Sequence, residues 1–485
     1  MTTTSIPPAR TRTSDFADAA AQLLGAKGFT QDPELVEPWL TDWRGRYTGR
    51  ALGLASPAST HEVAALMRLC TKHRVAVVPQ GGNSGMAGGA TPDESGDGVI
   101  LSLRRMNTIR SLDAGAQQAV CEAGVILQTL HEAAEAHDLR FPLTLGGKGS
   151  ATIGGLVSTN AGGTQVLRYG TMRAQVLGIE AVLADGQVFD ALTVLKKDNR
   201  GFDLKQLLIG SEGTLGVVTA ATLRLLPAPR SRATAWVGLS CVTKARALLR
   251  RADHLLGAAL EGFEIVPAHC LESVLAHLPD ARAPLAKAHA WNALIECTSP
   301  DDDNAALQEQ LEAVLEEALE SELIADAVLA ANETQAEQFW ALRDSISPAE
   351  RAIGPAMQHD ISVPVEKMPE FILAAIPTIE NEFPGATGAA FGHLGDGNVH
   401  FHVLAPKGAT PGVWEETEGK AISARVHDLV TQWGGSISAE HGIGQMKVDE
   451  LGRLGDPVAL SMMRAVKSAL DPHGLLNPGK LVPEN

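Results

Sequence analysis

The sequence predicts an α+β protein with more than one domain, and three observations support this prediction. Helical and strand-like segments follow one another in mixed order, without the strict strand–helix alternation of a doubly wound parallel sheet. A chain of 485 residues is longer than one compact core normally allows. Glycine is dense as far as the PAPRSRATA stretch that begins at Pro227, and helical Ala/Leu/Glu segments dominate after Pro229. We therefore expect a glycine-rich domain followed by a more helical one.

The changes in composition divide the chain into four segments. Residues 1–54 are an acidic, helix-containing lead-in, and residues 55–228 are the glycine-rich domain. Residues 229–449 form a second domain. Residues 450–485 form a helical C-terminal segment that we expect to return to the first domain.

Local patterns predict individual elements within these segments. The stretch HEVAALMRLCTKH, which begins at His61, is typical of an amphipathic helix, and a short apolar strand follows at residues 75–78. The dipeptide Asp185-Gly186 between two apolar runs indicates a β-hairpin. Residues 304–321 are rich in Ala, Leu and Glu and predict a long helix.

Charge and cysteine content exclude several classes of function. A net charge of −17 argues against nucleic acid as a partner, because phosphates require a basic surface. The five cysteines are scattered without a CxxC pair, which is typical of a reducing compartment. No apolar run is long enough for a transmembrane segment, and the N-terminus lacks the apolar core of a secretory signal. We expect a cytoplasmic protein whose anionic substrate would need a local cation.

Three glycine-rich loops predict a large cofactor that carries phosphate. The first, PQGGNSG, follows the strand at 75–78, and its backbone N–H groups can converge on an anion. Alone it is equally well explained as a glycine turn, and it matches neither GxxxxGK[ST] nor GxGxxG. A glycine-rich stretch at residues 146–170 and the loop GSEGTLG at 210–216 favour a ligand, because so many small residues cannot pack a core by themselves.

Residues 55–228 resemble the FAD-binding domain of the vanillyl-alcohol oxidase / p-cresol methylhydroxylase superfamily. The signatures are PQGGNSG, IGGLVSTNAGG, LRYG and GSEGTLGVVT. The resemblance implies a two-subdomain FAD-binding domain, an α+β substrate (cap) domain and a C-terminal helical segment. Relatives with covalent flavin carry a histidine in or near the first loop; this loop has none, so non-covalent FAD is expected. The residues that the resemblance assigns to FAD are Pro79, Gly81, Gly82, Asn83, Ser84, Gly85, Met86, Pro142, Gly146, Thr152, Gly155, Thr159, Asn160, Gly163, Tyr169, Gly170, Glu212, Gly213, Gly216, Val218 and Asn477.

Two histidines and a glutamate form the sharpest local pattern. In GHLGDGNVH a turn sequence separates His393 from His400, so the chain can fold back and bring both imidazoles to one point. The later stretch SAEHGIG adds Glu440 and His441. Two imidazoles and a carboxylate suit Zn²⁺ or a similar divalent ion. The spacing alone leaves a hydrogen-bonded histidine pair and a surface ion pair as alternatives.

Beyond residue 228 the chain resembles the D-2-hydroxyglutarate / D-lactate dehydrogenase branch of the superfamily. The matching stretches are GHLGDGNVH, SAEHGIG, KKDNRGFDLKQ and LDPHGLLNPGKL. The resemblance implies that His393, His400 and Glu440 bind the metal and that His441 is the general base. The implied reaction oxidises a D-2-hydroxy acid to the 2-keto acid by hydride transfer to flavin, with the metal lowering the pKa of the hydroxyl. An imidazole with an unperturbed pKa near 6.5 is suited to take that proton.

The same resemblance assigns Arg343 and Ser347 to the substrate, because a guanidinium binds both oxygens of a carboxylate. From the sequence alone, an arginine on a surface helix is the favoured interpretation of Arg343. Two positions depart from the family pattern: Gln358 stands where a basic residue is common, and His402 stands where Asn is usual. On a strand His402 shares a face with His400, so an extra metal ligand stays open there. The departures weaken the case for a dicarboxylate and leave room for a monocarboxylic 2-hydroxy acid.

Other functions stay open at this point. A glycolate or other 2-hydroxy-acid oxidase would use the same sites, and a flavin-binding subunit would lack chemistry of its own. A hydrolase with two histidines and one glutamate on zinc would make the glycine loops structural. Related enzymes pass electrons to an electron-transferring flavoprotein or to quinone, and the sequence leaves a homodimer open.

Overall fold

A computed structural model describes residues 9–195 and 197–484. Residues 1–8 of the predicted lead-in and Lys196 of the KKDNRGFDLKQ stretch lie outside the described residues. The described chain divides into two compact units. The first contains the chain up to Gly163, Gly170–Pro227 and the chain from Glu440 onward, and the second contains Thr164–Tyr169 and Ala228–Ala439. Among the described residues, no helix combines the length and the apolar composition needed to span a bilayer.

Helices and strands alternate irregularly along the chain, as expected for an α+β protein. The strands are β1 (Phe29–Thr30), β2 (Leu54–Ala55), β3 (Ala76–Gln80), β4 (Gly98–Ser102), β5 (Ile109–Asp113), β6 (Gln118–Glu122), β7 (Leu139–Arg140), β8 (Val176–Val182), β9 (Val188–Ala191), β10 (Val217–Arg224), β11 (Leu226–Pro227), β12 (Ser231–Leu239), β13 (Leu260–Pro267), β14 (Trp291–Ser299), β15 (Asp326–Leu329), β16 (Ala356–Ser362), β17 (Thr387–His393) and β18 (Asn398–Leu404). The α-helices are α1 (Ala9–Leu24), α2 (Pro33–Val36), α3 (Thr60–His73), α4 (Leu127–Glu135), α5 (Ile153–Thr159), α6 (Val166–Tyr169), α7 (Met172–Gln175), α8 (Lys205–Leu208), α9 (Val242–Leu256), α10 (Ala268–His277), α11 (Asn304–Glu320), α12 (Glu333–Asp344), α13 (Ile346–Ile353), α14 (Met368–Glu382), α15 (Lys420–Gln432), α16 (Val448–Leu454) and α17 (Pro457–Leu470).

Two larger sheets organise the first unit. One has the order β1-β2-β4-β3 with parallel pairing of β2, β4 and β3, and the other is antiparallel with the order β5-β6-β10-β8-β9. The predicted amphipathic helix is α3, whose N-cap Ser59 accepts a hydrogen bond from the Glu62 N–H. It ends at Arg74 in the left-handed conformation (φ 57°), and the chain then enters β3. The first glycine loop therefore begins where a buried strand ends.

The predicted hairpin is confirmed. It joins β8 and β9, with Gly186 at φ +80° and its N–H donated to the Leu183 carbonyl. The central strand of that sheet, β10, is buried along nearly its whole length and follows the third glycine loop directly. The third glycine loop, Gly210–Gly216, therefore leads into the central strand of the sheet and not into an edge strand.

A seven-stranded antiparallel sheet organises the second unit, in the order β15-β12-β14-β13-β17-β18-β16. Helices lie on both of its faces. On one face, α10, α12 and α13 form a core with strand residues such as Trp236 and Phe391. On the other face, α9, for example, buries Val242, Ala245 and Leu249 at helical spacing. Side chains alternate along β18, so Val399, Phe401 and Val403 enter this helix-covered core. His400 and His402 therefore point to the opposite face of the sheet.

Candidate active site

A cavity lies in the first unit, between the three glycine loops. We call it the glycine-lined cavity. Of the residues expected to bind a cofactor, its lining contains Pro79, Gly81, Gly82, Asn83, Ser84, Gly85, Thr152, Gly155, Thr159, Glu212, Gly213, Gly216 and Val218. It also contains residues that the sequence analysis did not single out, mostly small and apolar: Gln80, Ala87, Gly89, Ala90, Leu103, Ala123, Ala151, Gly154, Leu156, Ser158 and Val217. The predicted base His441 lines the cavity as well.

Close backbone packing explains the glycines of the first loop. A Cβ added at Gly81 would lie 2.4 Å from the Thr152 hydroxyl, and one at Gly82 would lie 1.7 Å from the Ser150 carbonyl oxygen. Asn83 adopts φ 50° and donates its side-chain amide to the Thr41 carbonyl at 2.8 Å. A Cβ at Gly85, in contrast, would meet no atom within 4 Å, so this part of the loop borders open space.

The N-terminus of α5 faces the same cavity. Thr152 caps the helix by accepting a hydrogen bond from the Gly155 N–H at 3.4 Å. The first turn of the helix contains Gly154 and Gly155, whose backbone can be approached closely. Backbone N–H groups at a helix N-terminus favour an anion such as a phosphate.

Several residues predicted to contact the cofactor have other roles in the structure. Asn160 ends α5 at φ 49° and accepts hydrogen bonds from Thr171 and Arg173, and Asn477 donates to the carbonyls of Gly89 and Glu212. Met86, Pro142, Gly146, Gly163 and Gly170 are likewise not among the lining residues of the glycine-lined cavity.

Tyr169 belongs to the second unit, within the short segment Thr164–Tyr169. Its hydroxyl donates to the buried Glu261 carboxylate at 3.4 Å. Arg168 and Gln165 of the same segment bind Glu261 too, at 3.3 and 2.7 Å. A buried carboxylate thus anchors this segment to the seven-stranded sheet.

In the second unit, the face of the sheet opposite α9 carries a row of polar side chains. We call this the histidine face and define it by Glu264, Gln358, Asp360, His393, Asn398, His400 and His402. The register pairs His400 with Asp360 and with Phe391, His402 with Gln358, and His393 with Asn398 and Glu264. The turn after His393 folds back as its sequence predicts, with the Gly397 N–H bonded to the His393 carbonyl and Gly397 at φ +81°. The rings of His393 and His400 are 5.3 Å apart.

Glu264 fixes the orientation of His393. The buried carboxylate accepts hydrogen bonds from Nδ1 of His393 and, at 2.8 Å, from Nε of Arg343. Burial raises the pKa of Glu264, but the charges of His393 and Arg343 outweigh burial and lower this pKa to about 2. Because Nδ1 is engaged, Nε2 is the nitrogen of His393 that can bind a ligand, and in this structure it lies 3.3 Å from an Arg343 nitrogen.

His400 is held in its neutral form. Burial, together with the charges of Arg343 and His393, keeps its pKa well below the ordinary value. A neutral imidazole has a lone pair for a metal. Beside it, Asn398 donates its amide to Asp360 at 2.8 Å, and this bond connects the ends of β18 and β16.

The other predicted substrate residues lie near His402. Its Nδ1 is paired with the Glu350 carboxylate, and both side chains are buried. Ser347 is half-buried in the first turn of α13, one turn before Glu350, so the two share a helix face. Gln358 is the cross-strand neighbour of His402. Arg343 lies in the last turn of α12, and its guanidinium lies over the Phe391 ring at 5.8 Å.

Glu440 begins the part of the chain that belongs to the first unit. The residue before it, Ala439, donates its N–H to the Asp360 carbonyl at 3.2 Å, within the second unit. His393, His400 and Glu440 form a His/Glu group that could hold a metal ion. The next residue, His441, lines the glycine-lined cavity.

Sequence reasoning missed the acidic partners Glu264 and Glu350. Glu264 interrupts an otherwise apolar strand, LEGFEIVP, and a buried carboxylate in such a strand needs a partner. That signal could have marked Glu264 as a site residue. For Glu350, on the amphipathic α13, the sequence offers no comparable signal.

Comparison with known proteins agrees with the fold and the glycine-lined cavity. Residues 51–191 match the FAD binding domain family, and residues 228–481 match the C-terminal domain of FAD linked oxidases. The fold resembles that of p-cresol methylhydroxylase with substrate bound, with a TM-score of 0.75, 15% identity and 98% of each chain covered.

Two relatives match over nearly the whole chain. The mitochondrial D-2-hydroxyglutarate dehydrogenase of Arabidopsis thaliana is 39% identical over 96% of this chain and 81% of its own length. The D-2-hydroxyglutarate dehydrogenase of Xanthomonas citri pv. viticola is 36% identical over 95% of each chain. These matches confirm the α+β fold and the superfamily expected from the motifs. The chain belongs to the FAD-linked oxidases and, among them, to the D-2-hydroxyglutarate dehydrogenase family.

Proposed function

We propose that this chain oxidises D-2-hydroxyglutarate to the corresponding 2-keto acid, with non-covalently bound FAD and a divalent metal, preferably Zn²⁺. One observation carries the proposal. His441 lines the glycine-lined cavity, and Glu440, its neighbour in the chain, completes the His/Glu group with His393 and His400. A base and a metal ligand on adjacent residues can act on the same hydroxyl group.

The glycine-lined cavity fits the cofactor. Its lining is mostly glycine and other small residues, which lets a large flat ligand lie against the backbone. The loop at Gly81–Gly85 and the N-terminus of α5 supply backbone N–H groups for a pyrophosphate. The lining contains no histidine in the first loop, which supports non-covalent binding. The two matches to FAD-related families favour this function over a hydrolase with structural glycine loops.

The donor set fits a divalent metal. His393, His400 and Glu440 would hold it through two imidazole nitrogens and one carboxylate oxygen, which leaves positions for substrate. The hydrogen bond from His393 to Glu264 supports this role, because metal-binding histidines usually donate their other ring nitrogen to a carboxylate or carbonyl. At Nε2 of His393, the Arg343 guanidinium and a metal would exclude each other.

The side chains of the protein have separate tasks in this reaction. When bound, FAD supplies the acceptor for the hydride from C2, and the metal supplies positive charge at the hydroxyl and carboxylate oxygens. His441 takes the hydroxyl proton on its imidazole. Arg343, with Ser347, binds one substrate carboxylate, and His402 with Gln358 receives the far end of the substrate. His402, rather than a basic residue at position 358, would then donate to the second carboxylate.

Electrons would then pass from the flavin to an electron-transferring flavoprotein or a quinone, as expected from the resemblance to related enzymes. The cytoplasmic location expected from the sequence stays a prediction. So does the possibility that the protein forms a homodimer. The Arabidopsis relative is named as a mitochondrial protein.

Anaerobic bleaching of the flavin absorbance tests the substrate. We expect D-2-hydroxyglutarate to reduce the purified holoenzyme at least about tenfold faster than its L-enantiomer, D-lactate or glycolate, equivalent to ~1.4 kcal/mol in the barrier. Faster reduction by D-lactate would show that the substrate assignment is wrong. A Gln358→Lys variant, measured with the same panel, reports whether position 358 contacts the distal group.

Metal dependence is tested on the same preparation. Removal of metal by a chelator should abolish reduction by D-2-hydroxyglutarate, and added Zn²⁺ should restore it. The His400→Ala variant should keep its FAD but not recover with Zn²⁺. Full activity after chelation would contradict the roles of His393, His400 and Glu440.

A further inference from the structure

Glu212, in the third glycine loop, binds the backbone that follows His441. One carboxylate oxygen accepts the Ile443 N–H at 2.8 Å, and the other accepts the Gly444 N–H at 2.8 Å. These donors lie 231 and 232 residues away in the sequence, and both belong to the same unit as Glu212. The carboxylate therefore binds the HGIG loop at two points.

The loop passes Glu212 so closely that only glycine fits there. A Cβ at Gly442 would lie 2.7 Å from a carboxylate oxygen of Glu212, and Gly442 has φ +75°. A Cβ at Gly444 would lie 2.1 Å from the Ala87 carbonyl oxygen in the first loop. The path of the chain after His441 is thus fixed between two of the glycine loops.

The position of Glu212 is itself constrained. Its backbone has φ 51°, and its carbonyl accepts the Asn477 side-chain amide at 2.8 Å. Burial raises the pKa of the carboxyl group, whereas the two N–H groups and Lys447 oppose this effect. Each oxygen of the carboxylate is occupied by a backbone N–H, which an amide side chain could not reproduce at both positions.

We propose that Glu212, in addition to lining the glycine-lined cavity, is a positioning residue for His441: its carboxylate holds the HGIG loop. The inference rests on the proposed role of His441 as the base. Its consequence is that removing the carboxylate should slow proton transfer while leaving FAD binding and substrate affinity nearly unchanged. This role is additional to the cofactor contact that the sequence motif suggests for Glu212.

The test compares the holoenzyme with the Glu212→Gln, His441→Ala and double variants. The limiting rate of anaerobic flavin reduction should fall about 10- to 100-fold in Glu212→Gln, since a displacement of about 1 Å costs up to that much. FAD content and the apparent substrate dissociation constant should stay within about twofold of the wild-type values. In the His441→Ala background the Glu212→Gln change should add almost nothing, because both act on the same step.

A second readout does not depend on activity. Hydrogen exchange of the peptide that covers residues 440–447 should accelerate in Glu212→Gln. In Gly89→Ala the new Cβ would lie 3.3 Å from a Glu212 carboxylate oxygen, so exchange at 440–447 should change in the same direction but less. This variant replaces Glu212→Gln in the test if Glu212→Gln folds poorly. Glu180→Gln is the matched control, because Glu180 is a carboxylate of the same unit bound by Thr60 and Thr219. It should leave exchange at 440–447 unchanged.

Three outcomes would overturn the proposal: loss of FAD in Glu212→Gln, unchanged exchange at 440–447, or independent, multiplicative effects in the double variant. Failure of the proposed function has a different signature. If D-2-hydroxyglutarate does not bleach the wild-type flavin, or if His441→Ala is as fast as wild type, the substrate or the base is wrong. The exchange measurement still decides whether Glu212 holds the loop.

Discussion

The glycine-lined cavity of the first unit and the histidine face of the second are built for binding in different ways. The cavity presents backbone and small side chains, and its glycines allow close approach at Gly81 and Gly82. The histidine face presents long polar side chains, and two of its histidines are held by buried acids: His393 by Glu264 and His402 by Glu350. Exposed backbone suits a large cofactor, because its phosphates and ring can lie directly against the main chain. Oriented side chains suit a small polar substrate and a metal.

The comparison also separates two kinds of constraint. In the cavity, a substitution fails because there is no space for an added atom. On the histidine face, a substitution of equal size fails because a charge loses its partner. Variants of the two regions should therefore differ in which ligand they lose.

The largest expected effect is that of Gly82→Ala. The new Cβ would lie 1.7 Å from the Ser150 carbonyl oxygen, which is backbone and cannot turn away, so the first loop must shift. We expect the affinity for FAD to fall at least about 100-fold, equivalent to ~3 kcal/mol, with metal binding unaffected. Titration of the apoprotein with FAD, followed by quenching of flavin fluorescence, measures the change.

Gly115→Ala is the matched control, because its Cβ would make only an ordinary contact, at 3.4 Å from an Asp113 oxygen. This variant should bind FAD like the wild type. If Gly82→Ala also binds FAD normally, FAD binding does not depend on the close packing of Gly82 against the Ser150 carbonyl. The proposed contrast between the two regions would then be wrong.

The two regions differ in how far the sequence could predict them. The glycine loops and the Asp185-Gly186 hairpin are local features, because the backbone conformation needed at each position selects the residue there. The cavity and the α+β fold could therefore be expected from motifs. His393 and its partner Glu264 are 129 residues apart, and only the pairing of β13 with β17 brings them together. No local pattern contains that information.

Two motif residues also show that a local pattern does not reveal which distant residue a side chain contacts. Tyr169 and Glu212 stand in recognisable glycine-rich signatures, which suggested contact with the cofactor. In the structure Tyr169 binds Glu261, and Glu212, which lines the glycine-lined cavity, also binds the HGIG loop. A motif predicts that a residue matters in a region, but its partner lies in a distant chain segment, 92 residues away for Tyr169 and 231 residues away for Glu212.

A smaller effect is expected for Glu264→Gln, which tests the histidine face. The amide cannot accept hydrogen bonds at both positions now filled by His393 and Arg343, so the orientation of His393 is lost. We expect metal affinity to fall about 10- to 100-fold, as for other residues that orient a metal-binding histidine through its second ring nitrogen, with unchanged FAD content. Competition against a chelator of known affinity measures the metal, and absorbance measures the flavin.

Glu296→Gln is the matched control on the same sheet. Glu296 is bound by Arg232 and Trp340, at 2.6 and 2.7 Å, and does not belong to the histidine face. This variant should keep its metal affinity even if it is less stable. Equal loss of metal in both variants would mean that unfolding, rather than the orientation of His393, explains the result.

The smallest expected effect is that of Glu180→Gln, which asks whether a paired carboxylate in the first unit serves stability alone. Glu180 accepts hydrogen bonds from Thr60, Thr219 and Arg110. Burial raises its pKa, but these hydrogen bonds and the charge of Arg110 outweigh burial, and the pKa of the folded state is lowered. We expect a loss of about 1 kcal/mol in the free energy of unfolding at pH 7, with FAD and metal binding unchanged.

The lowered pKa of Glu180 fixes the sign of the pH dependence. The ionised carboxylate stabilises the folded state at pH values above the unfolded pKa of about 4.3, and this contribution is lost as the pH falls through the lower, folded pKa. The difference in urea midpoint between wild type and Glu180→Gln should therefore be present at pH 7 and shrink below about pH 4.3. A difference that grows on acidification would mean that Glu180 is protonated in the folded protein. Glu180 in the first unit and Glu264 in the second would then differ in charge as well as in role.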